Sequence, residues 1–591
     1  MSHIISFFLT FIVGFLTLYK CNQGWDKKSL FIQTRQILFG SVIVWLPLMV
    51  TGVYSFQGGI VVAWFVGVAW MMTYPILYHL TNRKSSPYYM NYGEIICGLY
   101  FFGWFSLLCV LGLGTIVAFM EWGLLVICLA QVVYYLLYGT CIDANGMKIL
   151  QDSHPNEIIE FAKSYPLWKS IGVIFLSILL LGLLLIINNY NFSFAQIPLL
   201  WKEALWMVVL YIFFAVVFGW YIFSIYHGMF VRSGIIVLWL DIKEYSATNN
   251  RYVTEMGKRI LNLNVLPLGE PYNHPSTIMM VIGESSSRDY MSAFTTMEHD
   301  TTPWMRKMVE DKEHTIIFPH AYSCAMHTVQ ALEKALTEYN QYNGRHFYDS
   351  CSIIDIAHKL GYCVHWYSNQ GHLGANDTPI TLVANTSEVA KWTKQDLGKV
   401  QYDQALIDFL DEVSPNKNNL LVLHLKGSHF NYITRYPRES TVWGKPGVQD
   451  DILNYENSLH YTDSILEQFY CYAKDILNLQ AMVYYSDHAT IPDDRRSPNF
   501  NGFGHTRIPL FVTVSDEYLT CHHKRVEALK HNSQRYWTND LAYELMCGIL
   551  DIKSNHFDET ASLASFSYKY QREQLLTYEG KARIIDDNND T

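Results

Sequence analysis

Apolar stretches about as long as a lipid bilayer is thick fill the first 228 residues of this chain. A helix needs about 20 consecutive apolar residues to cross the hydrocarbon core, where every backbone polar group must be bonded within the segment. Seven stretches can be read: Ile4–Leu18, Ile37–Tyr54, Ile60–Tyr78, Ile95–Met120, Leu124–Tyr138, Ile171–Ile187 and Ala204–Ile225. A cleaved signal peptide is the alternative for the first stretch, although no basic region precedes it. The pattern predicts a polytopic α-helical membrane bundle over residues 1–228.

Two segments of the N-terminal half are predicted to be helices that lie on a membrane surface. One falls within the loop 140–169. The other is Met229–Leu240, where Arg232 interrupts the apolar run, so an interfacial helix is favoured over a further span. The polar stretch Tyr245–His274 is predicted as a linker, which completes the region 229–275 before the next domain.

Basic residues in the N-terminal loops bear on the orientation of the chain. They are Lys20, Lys27, Lys28, Arg35, Arg83 and Lys84. A count of seven spans places these loops on the same side as the C-terminal domain. Because cytoplasmic loops carry an excess of Lys and Arg, the loop charges predict a cytoplasmic C-terminal domain.

Three short apolar runs in the C-terminal half each end in ionisable residues. They are Thr277–Glu284, Leu420–His429 and Ala481–His488. Such runs, rich in β-branched and aliphatic residues, are typical of strands buried on both faces of a parallel sheet. Residues 276–578 are therefore predicted as a soluble α/β domain with a mostly parallel central sheet. The polar residues 579–591 are predicted as a tail that frays.

Two carboxylates and two imidazoles follow these apolar runs: Glu284, His429, Asp487 and His488. Ligands and catalytic groups collect beyond the carboxyl ends of parallel strands, and this set of side chains is typical of metal sites. The sequence therefore predicts metal-assisted chemistry. The net charge of −10 and the lack of a long Lys/Arg cluster argue against nucleic acid as a partner.

The chain has eleven cysteines. The C-terminal domain contains Cys324, Cys351, Cys363, Cys471, Cys521 and Cys547. Because none of these stands in a CxxC spacing, a zinc site made of cysteines is not predicted. Cysteine usage does not decide between a reducing and an oxidising compartment.

Five short motifs follow one another in the C-terminal half. They are Gly283–Arg288 (GESSSR), Ser323–Thr328 (SCAMHT), Gly427–His429 (GSH), Ser486–His488 (SDH) and Gly504–His505 (GH). In this order, behind an apolar N-terminal part, they resemble the phosphoethanolamine transferases, bacterial inner-membrane enzymes of the alkaline phosphatase and sulfatase superfamily. The resemblance covers almost the whole chain and implies an alkaline-phosphatase-like α/β domain after the membrane bundle.

The resemblance implies a zinc site with a nucleophilic threonine. Matched motif to motif, Glu284, Thr328, Asp487 and His488 would hold one zinc ion per chain. Coordination to zinc favours the alkoxide of a threonine hydroxyl, which is otherwise a weak nucleophile. The residues after Thr328 read as helical, so this residue would also lie at a helix N-terminus, where the helix dipole favours an anion. The alternative role for Thr328 is an ordinary helix N-cap.

Other residues would contact the substrate by the same resemblance. They are His429 and His505 around the phosphate, Asn369 and Gln370 near the transferred group, and Glu157 on the surface helix at the lipid head. His429 and His505 could alternatively bind a second metal ion. His327 is either a base or a structural histidine, and Arg288 either binds phosphate or forms a salt bridge.

The chain departs from the family pattern at three places. Ala489 stands where the family has glycine after Asp-His, and Phe430-Asn431 stands where it usually has Gly-Pro. The lysine that the colistin-resistance enzymes have near Asn369 and Gln370 is absent. These departures preserve the predicted metal ligands and put the substrate contacts in doubt.

The function implied by the resemblance is transfer of phosphoethanolamine from phosphatidylethanolamine to lipid A or a core glycan. This reaction requires the outer face of the bacterial inner membrane, so the resemblance implies a multi-pass protein, expected to be a monomer among membrane lipids, with a periplasmic catalytic domain. We let this expectation override the loop charges. A phosphoglycerol transferase that uses phosphatidylglycerol and a catalytically silent membrane scaffold are the alternatives.

Overall fold

The computed structural model of the 591-residue chain forms two compact units. One contains Met1–Gln151 and Tyr165–Glu244, and the other contains Asp152–Ser164 and Tyr245–Thr591. The residues that the structure describes are 8, 12, 16, 38, 58–81, 93–142, 146–147, 167–190, 205–224, 230, 233–269, 272–370, 378–393, 400–494 and 500–590. Most of the predicted stretches Ile4–Leu18 and Ile37–Tyr54, and the predicted surface helix with Glu157, lie outside these residues.

The described part of the first unit consists of apolar helices. They are α1 (Gly58–Thr81), α2 (Gly93–Val110), α3 (Gly114–Tyr138), α4 (Leu167–Tyr190) and α5 (Leu205–Phe223). Helices α1 and α2 pack closely at two glycines, since a Cβ on Gly67 would lie 2.5 Å from the carbonyl oxygen of Gly98. By length and composition, Val61–Thr81 and Gly114–Tyr138 could cross a bilayer, and Ile96–Cys109, Phe175–Asn189 and Ile212–Phe223 are shorter apolar helices.

One predicted apolar stretch is divided differently in the structure. The sequence predicts a continuous segment Ile95–Met120, followed by Leu124–Tyr138. The chain instead breaks after α2, because Gly112 adopts a left-handed φ of 80°. The helix α3 then runs without interruption through Glu121–Gly123, so the predicted boundary between these two segments is wrong.

The helix α6 (Gly234–Asn262) contains both the predicted interfacial segment and much of the predicted linker. The linker prediction rested on polarity alone. Residues between 245 and 256 contain neither Gly nor Pro, and Arg251 bonds Glu255 one turn later at 2.8 Å, a pairing that favours a helix. The prediction of an extended linker there is therefore wrong. The chain passes from one unit to the other at residue 244, within this helix.

The second unit is built on a seven-stranded sheet. Its strands are β2 (Thr277–Gly283), β3 (Thr315–Ile317), β5 (Cys363–Ser368), β6 (Val389–Trp392), β7 (Asn419–His424), β8 (Leu479–Ser486) and β9 (Leu510–Val514), in the spatial order β3-β9-β8-β2-β7-β5-β6. The pairings from β8 to β6 are parallel, and β9 is antiparallel to both of its neighbours. The predicted α/β domain with a mostly parallel sheet is confirmed.

Short strand pairs flank this sheet. They are β1 (Val265–Pro267) with β11 (Ile552–Ser554), β4 (Ala321–Tyr322) with β10 (Trp537–Thr538), and β12 (Leu576–Thr577) with β13 (Ala582–Arg583). Helices follow most strands and cover the sheet. They are α7 (Pro303–Glu310), α8 (Thr328–Ala335), α9 (Ile353–Lys359), α10 (Pro379–Ala384), α11 (Ile407–Leu410), α12 (Asp451–Ile476), α13 (Asp516–Cys521), α14 (His523–His531) and α15 (Ala542–Ile549).

The central strands alternate their side chains between two hydrophobic cores. Met280 and Ile282 of β2 belong to one core, and Met279 and Val281 belong to the other. Every residue of β2, β7 and β8 is buried, which explains why these strands read as continuous apolar runs. The neighbouring register places Ile282 beside His424 and Gly283 beside Ser486, so the residues after these strands emerge at one edge.

Residues 579–590 do not fray. They complete the β12–β13 hairpin and end in a short 3₁₀ turn, Ile584–Asp586. Asp587 is only 2% exposed, and its carboxylate is bonded by Arg507 and Tyr322. The prediction of a frayed tail is wrong, because the partners of these acidic residues lie far away in sequence.

Candidate active site and metal centre

Glu284, Asp487 and His488 meet at the carboxyl edge of the sheet. Glu284 follows β2, and the other two residues follow the adjacent strand β8. One ligand atom from each of the three side chains lies within 4.8 Å of the others, and all three residues are fully buried. Neighbouring parallel strands thus bring together residues that are about 200 positions apart in the chain.

The donor atoms have the spacing of a small coordination shell. His488 Nε2 lies 3.3 Å from Glu284 Oε1 and 3.2 Å from Asp487 Oδ2. Thr328 Oγ1 lies 3.0 Å from Glu284 Oε2 and 3.4 Å from His488 Nε2. Zinc bound tetrahedrally at about 2.1 Å has ligands about 3.4 Å apart. These four residues therefore fit a zinc ion in both donor type and spacing.

The orientation of the His488 ring also fits metal binding. Its Nδ1 lies 3.1 Å from the carbonyl oxygen of Ala489, which can only accept a hydrogen bond. Nδ1 is therefore the protonated nitrogen, and the lone pair of Nε2 faces Glu284, Asp487 and Thr328. A backbone carbonyl that fixes the tautomer in this way is a common second contact of metal-binding histidines.

Two buried carboxylates side by side leave negative charge to be balanced. Burial, and next the neighbouring Glu284 carboxylate, raise the pKa of Asp487 well above its ordinary value. In the described part of the chain, only His488 lies within ion-pair distance of Asp487, and Asp487 Oδ2 accepts no hydrogen bond. A divalent cation would supply both the missing charge and the missing partner.

Thr328 is the most accessible member of this group. It is the first residue of α8, and the N-cap of that helix is His327. Because the N-cap position is occupied by His327, and the Thr328 hydroxyl donates to Glu284 Oε2, Thr328 is not the N-cap that the alternative interpretation predicts. It is only partly buried, whereas the three ligands behind it are fully buried. A substrate could therefore reach this hydroxyl.

The loop after β2 is shaped around the carboxylates. Ser285 adopts a left-handed φ of 57°, donates its amide to Asp487 Oδ1 at 3.0 Å and donates its hydroxyl to Glu284 Oε1 at 2.6 Å. Gly427 also adopts a positive φ, and a Cβ there would lie 2.8 Å from the carbonyl oxygen of Glu284. The backbone conformation and the close contacts at Ser285 and Gly427 thus explain why a serine and a glycine stand at these positions, which local sequence patterns do not reveal.

Of the two residues predicted near the transferred group, Gln370 contacts a predicted ligand directly. Its amide nitrogen donates to Glu284 Oε2 at 3.1 Å, and its side-chain oxygen accepts from Lys426 at 3.4 Å. Asn369 is fully buried and bonds Asp403 at 2.8 Å and Thr393 at 2.6 Å. In the structure, the Asn369 side chain therefore has a supporting role, through its bonds to Asp403 and Thr393.

Asp403 and Lys426 are residues that the sequence analysis did not single out. Besides Asn369, the Asp403 carboxylate accepts the backbone amides of Lys426 at 2.7 Å and Gly427 at 2.9 Å. The pKa of Asp403 is raised above its ordinary value because the carboxylate is buried, and these hydrogen bonds offset part of that rise. Asp403 thereby fixes the loop after β7. The importance of Asp403 is visible only in the folded structure, where this loop lies against Glu284.

His429 and His505 lie on loops that border the ligands. Ser428, next to His429, donates its amide to the carbonyl oxygen of Glu284 at 3.0 Å. The carbonyl oxygen of His505 accepts the amide of Ala489, the residue after His488, at 3.0 Å. His505 is fully buried, whereas His429 is partly exposed. The structure thus brings both segments to the edge that holds the predicted metal ligands.

The departures from the family pattern have local structural roles. Ala489 is fully buried, with its amide and carbonyl bonded to His505 and His488. Asn431 adopts a φ of 70°, a conformation that asparagine tolerates better than most residues. The Phe430 ring packs edge-on against Tyr432 at a centroid distance of 6.1 Å. The loop is therefore held by contacts other than those of a Gly-Pro sequence.

Arg288, for which two roles are open, forms a buried ion pair. Its guanidinium bonds Asp590 and the carbonyl oxygen of Ala321, and it lies 4.8 Å from the ring centroid of Tyr322. It is 5% exposed. The salt-bridge interpretation is the one the structure supports.

A second group of metal-ligating types is present at Glu338, Cys351 and His556, again with ligand atoms within 4.8 Å of one another. Here the carboxylate already has partners. His556 Nδ1 lies 2.9 Å from Glu338 Oε1, the amide of Cys351 donates to the same oxygen at 3.1 Å, and Arg345 lies 3.3 Å away. This group is a satisfied ion-pair network. Within the described residues, Cys351 is a free thiol.

The fold of the second unit and the residues at its sheet edge are typical of one class of protein. Residues 276–547 match the family model described as Sulfatase, so the second unit carries a sulfatase-family domain. The chain is similar to the phosphoethanolamine transferase EptC of Escherichia coli, with 22% identity over 392 residues, 61% of this chain and 66% of that protein. It is also similar to the phosphoethanolamine transferase CptA of Salmonella typhimurium, with 21% identity over 501 residues, 76% and 84% of the two chains.

A solved structure extends the likeness to both units. The integral membrane protein lipooligosaccharide phosphoethanolamine transferase A of Neisseria meningitidis has the same fold, with a TM-score of 0.56 and 15% identity. The alignment covers 85% of this chain and 98% of that one. The match to the Escherichia coli protein spans just under two thirds of its length. The chain is thus a homologue of the phosphoethanolamine transferases, as its motifs predicted.

Proposed function

We propose that the protein transfers phosphoethanolamine from phosphatidylethanolamine to lipid A or another envelope glycan, through a phosphothreonine at residue 328. The observation that carries this proposal is the Thr328 hydroxyl, partly exposed and 3.0 Å from a carboxylate of a fully buried ligand group. The choice of phosphoethanolamine as the transferred group is supported by the relatives, which are named phosphoethanolamine transferases. The preserved ligand set opposes the alternative of a silent scaffold.

Glu284, Asp487 and His488 would hold one zinc ion, with Thr328 as the fourth ligand. Zinc bound there would lower the pKa of the Thr328 hydroxyl and stabilise negative charge on the phosphate. Glu284 Oε2 is the acceptor of the hydroxyl proton at 3.0 Å. The fully buried ligands exclude water from the far side of the hydroxyl, so attack is directed toward the exposed side.

The reaction has two displacements at phosphorus. In the first, Thr328 Oγ1 forms a bond to phosphorus, the bond to the diacylglycerol oxygen breaks, and that oxygen takes up a proton. In the second, an acceptor oxygen loses its proton and bonds to phosphorus, and the Thr328 oxygen leaves. His429 and His505 border the site and are the proposed proton donors and phosphate contacts, or ligands of a second metal ion. Gln370, bonded to Glu284, is the proposed neighbour of the transferred group.

A membrane location follows from the substrates. Donor and acceptor are both lipids, and the described part of the first unit consists of apolar helices, two of which have the length and composition of a span. We place the chain in the bacterial inner membrane with several spans and the second unit in the periplasm. Glu157, outside the described residues, remains a proposed contact of the lipid head.

The test is a single-turnover incubation with phosphatidylethanolamine and no acceptor. We expect phosphoethanolamine on the peptide that contains Thr328, detected as a mass increment. Phosphatidylglycerol in a parallel incubation should leave no phosphoglycerol, which separates the two transferase alternatives. A zinc-loaded, folded protein that acquires no adduct from either lipid would contradict the proposal.

A further inference from the structure

The tail segment, residues 576–590, contacts three of the loops that carry the proposed site. At its start, Thr577 donates its hydroxyl to the carbonyl oxygen of Ser323 at 2.6 Å, and the amide of Glu579 donates to Cys324 at 2.9 Å. Both acceptors belong to the motif that ends in Thr328. The tail segment is therefore attached directly to the chain that leads into the nucleophile.

A carboxylate of the tail segment also links two other loops. Asp587 is 2% exposed and accepts two hydrogen bonds from Arg507, at 2.8 Å to Oδ2 and 2.5 Å to Oδ1, and one from the Tyr322 hydroxyl at 2.9 Å. Arg507 follows His505 by two residues, and it donates in addition to Asp289 at 2.9 Å. Burial alone would raise the pKa of Asp587, but the hydrogen bonds from Arg507 and Tyr322 hold this pKa below its ordinary value.

A second carboxylate, Asp590, bonds the loop of the first metal ligand. One of its oxygens accepts from Arg288, four residues after Glu284, and the other lies 3.1 Å from His320 Nδ1. The backbone of the three loops is joined as well, since the amide of Arg288 donates to Arg507 at 3.2 Å and that of Ser323 to Thr506 at 2.7 Å. The loops therefore form one network that the tail segment closes.

We propose that the tail segment is a clamp that holds the Glu284 loop, the Thr328 segment and the His505 loop in one arrangement, with Asp587 and Asp590 as positioning residues. This inference rests on the proposed function for its consequence at the zinc ion. The loops lie outside the strands of the seven-stranded sheet. Donor atoms must be held within a few tenths of an ångström for metal binding, so charge-assisted bonds behind the loops determine how well the ligands are placed.

The experiment compares the full-length protein with Asp587→Asn and Asp590→Asn, both of which keep the size of the side chain. Asp586→Asn is the matched control, because Asp586 lies in the same segment but is exposed and bonds only Arg583 in the described structure. Hydrogen exchange should increase in peptides covering 284–290, 320–328 and 503–508 and stay unchanged in β7. Zinc, once loaded, should pass to a chelator about 10- to 100-fold faster than from the control.

Asp590→Glu restores the carboxylate and should recover most of the slow zinc release, which a change of side-chain volume alone would not. If Asp587→Asn fails to fold, Asp590→Asn and Thr577→Val decide the question. Unchanged exchange in the three peptides, or an increase spread evenly over the second unit, would overturn the clamp. A parent protein that binds no zinc would count against the proposed function, while the exchange comparison would still decide on the clamp.

Discussion

The second unit contains two buried groups of ligand-type side chains that look alike in composition and differ in what surrounds them. In the proposed metal centre, Glu284, Asp487 and His488, and in the ion-pair group, Glu338, Cys351 and His556, the ligand atoms lie within 4.8 Å of one another. Both groups join distant parts of the chain, and both are formed from residues at the ends of strands or helices.

The difference between the two groups lies in how their charge is balanced. The ion-pair group has one carboxylate, which Arg345 and His556 accompany. The metal centre has two, and among the residues that the structure describes only His488 lies within ion-pair distance of Asp487. Donor types close together do not therefore suffice for a metal site. Negative charge that the protein leaves unbalanced, beside an accessible hydroxyl, is the more specific sign.

The largest effect is expected for the hydroxyl that only the metal centre possesses. Thr328→Ala should lower phosphoethanolamine transfer by about 10⁴- to 10⁶-fold, because it removes the nucleophile of both displacements. Zinc should remain, since three ligands are left. Transfer is measured by mass spectrometry of the glycan, and Ser323→Ala serves as the hydroxyl control. Near-normal transfer by a folded Thr328→Ala protein would show that another residue is the nucleophile.

The next effect separates the two groups by metal content. Asp487→Asn should reduce zinc from one per chain to almost none, because it removes one of three protein ligands besides Thr328. Without zinc, this variant should be at least as stable as the parent, since it relieves the repulsion between two buried carboxylates. Cys351→Ala should keep its zinc. Elemental analysis and thermal unfolding check both statements, and full zinc in Asp487→Asn would show that the centre is misplaced.

The comparison also shows what the sequence could reveal. The strand ends are predictable because an apolar run followed by Glu284 or Asp487-His488 is a local pattern, and the order of the motifs then predicts which residues are the metal ligands. The ion-pair group, by contrast, has no local pattern. Glu338, Cys351 and His556 are brought together by packing between separate elements, which is not written in any short stretch of the chain.

The same reasoning explains the predictions that failed. The tail was expected to fray because residues 579–590 are polar, and the stretch after Tyr245 was expected to be a linker for the same reason. Polarity indicates exposure only when no partner exists. Arg507 and Arg288, which receive Asp587 and Asp590, are recognisable as partners only after the fold has placed them.

A third, smaller effect concerns the imidazole that lies beneath the metal centre. Burial lowers the pKa of His424 to about 4, with Lys426 adding to the effect and Glu284 opposing it. In the unfolded chain this pKa is about 6.5. The lowered value contributes stability that is complete above pH 6.5 and is lost as the pH falls through 4. At about 1.4 kcal/mol per pKa unit, the loss is about 3 kcal/mol.

His424→Asn should remove this part of the acid sensitivity while keeping a hydrogen-bonding group beside Ser368, whose Oγ lies 3.4 Å from His424 Nδ1. Denaturant unfolding of parent and variant between pH 7 and pH 4 measures the difference in slope. Equal slopes would mean that His424 is not held neutral in the folded protein.

The smallest effect should come from the ion-pair group, and it should be one of stability alone. Glu338→Gln keeps the shape of the side chain but removes the charge that Arg345 and His556 accompany, and it weakens the acceptor of the Cys351 amide. Loss of such a charge-assisted contact costs about 1–3 kcal/mol in the free energy of unfolding. Zinc content and transfer should remain within about twofold of the parent, because the contacts of Glu338 in the described structure are with residues such as His556 and Arg345, away from the proposed metal ligands. A fall in zinc content that matches that of Asp487→Asn would erase the distinction between the two groups, and the Glu338 carboxylate would then have to be counted as a metal ligand.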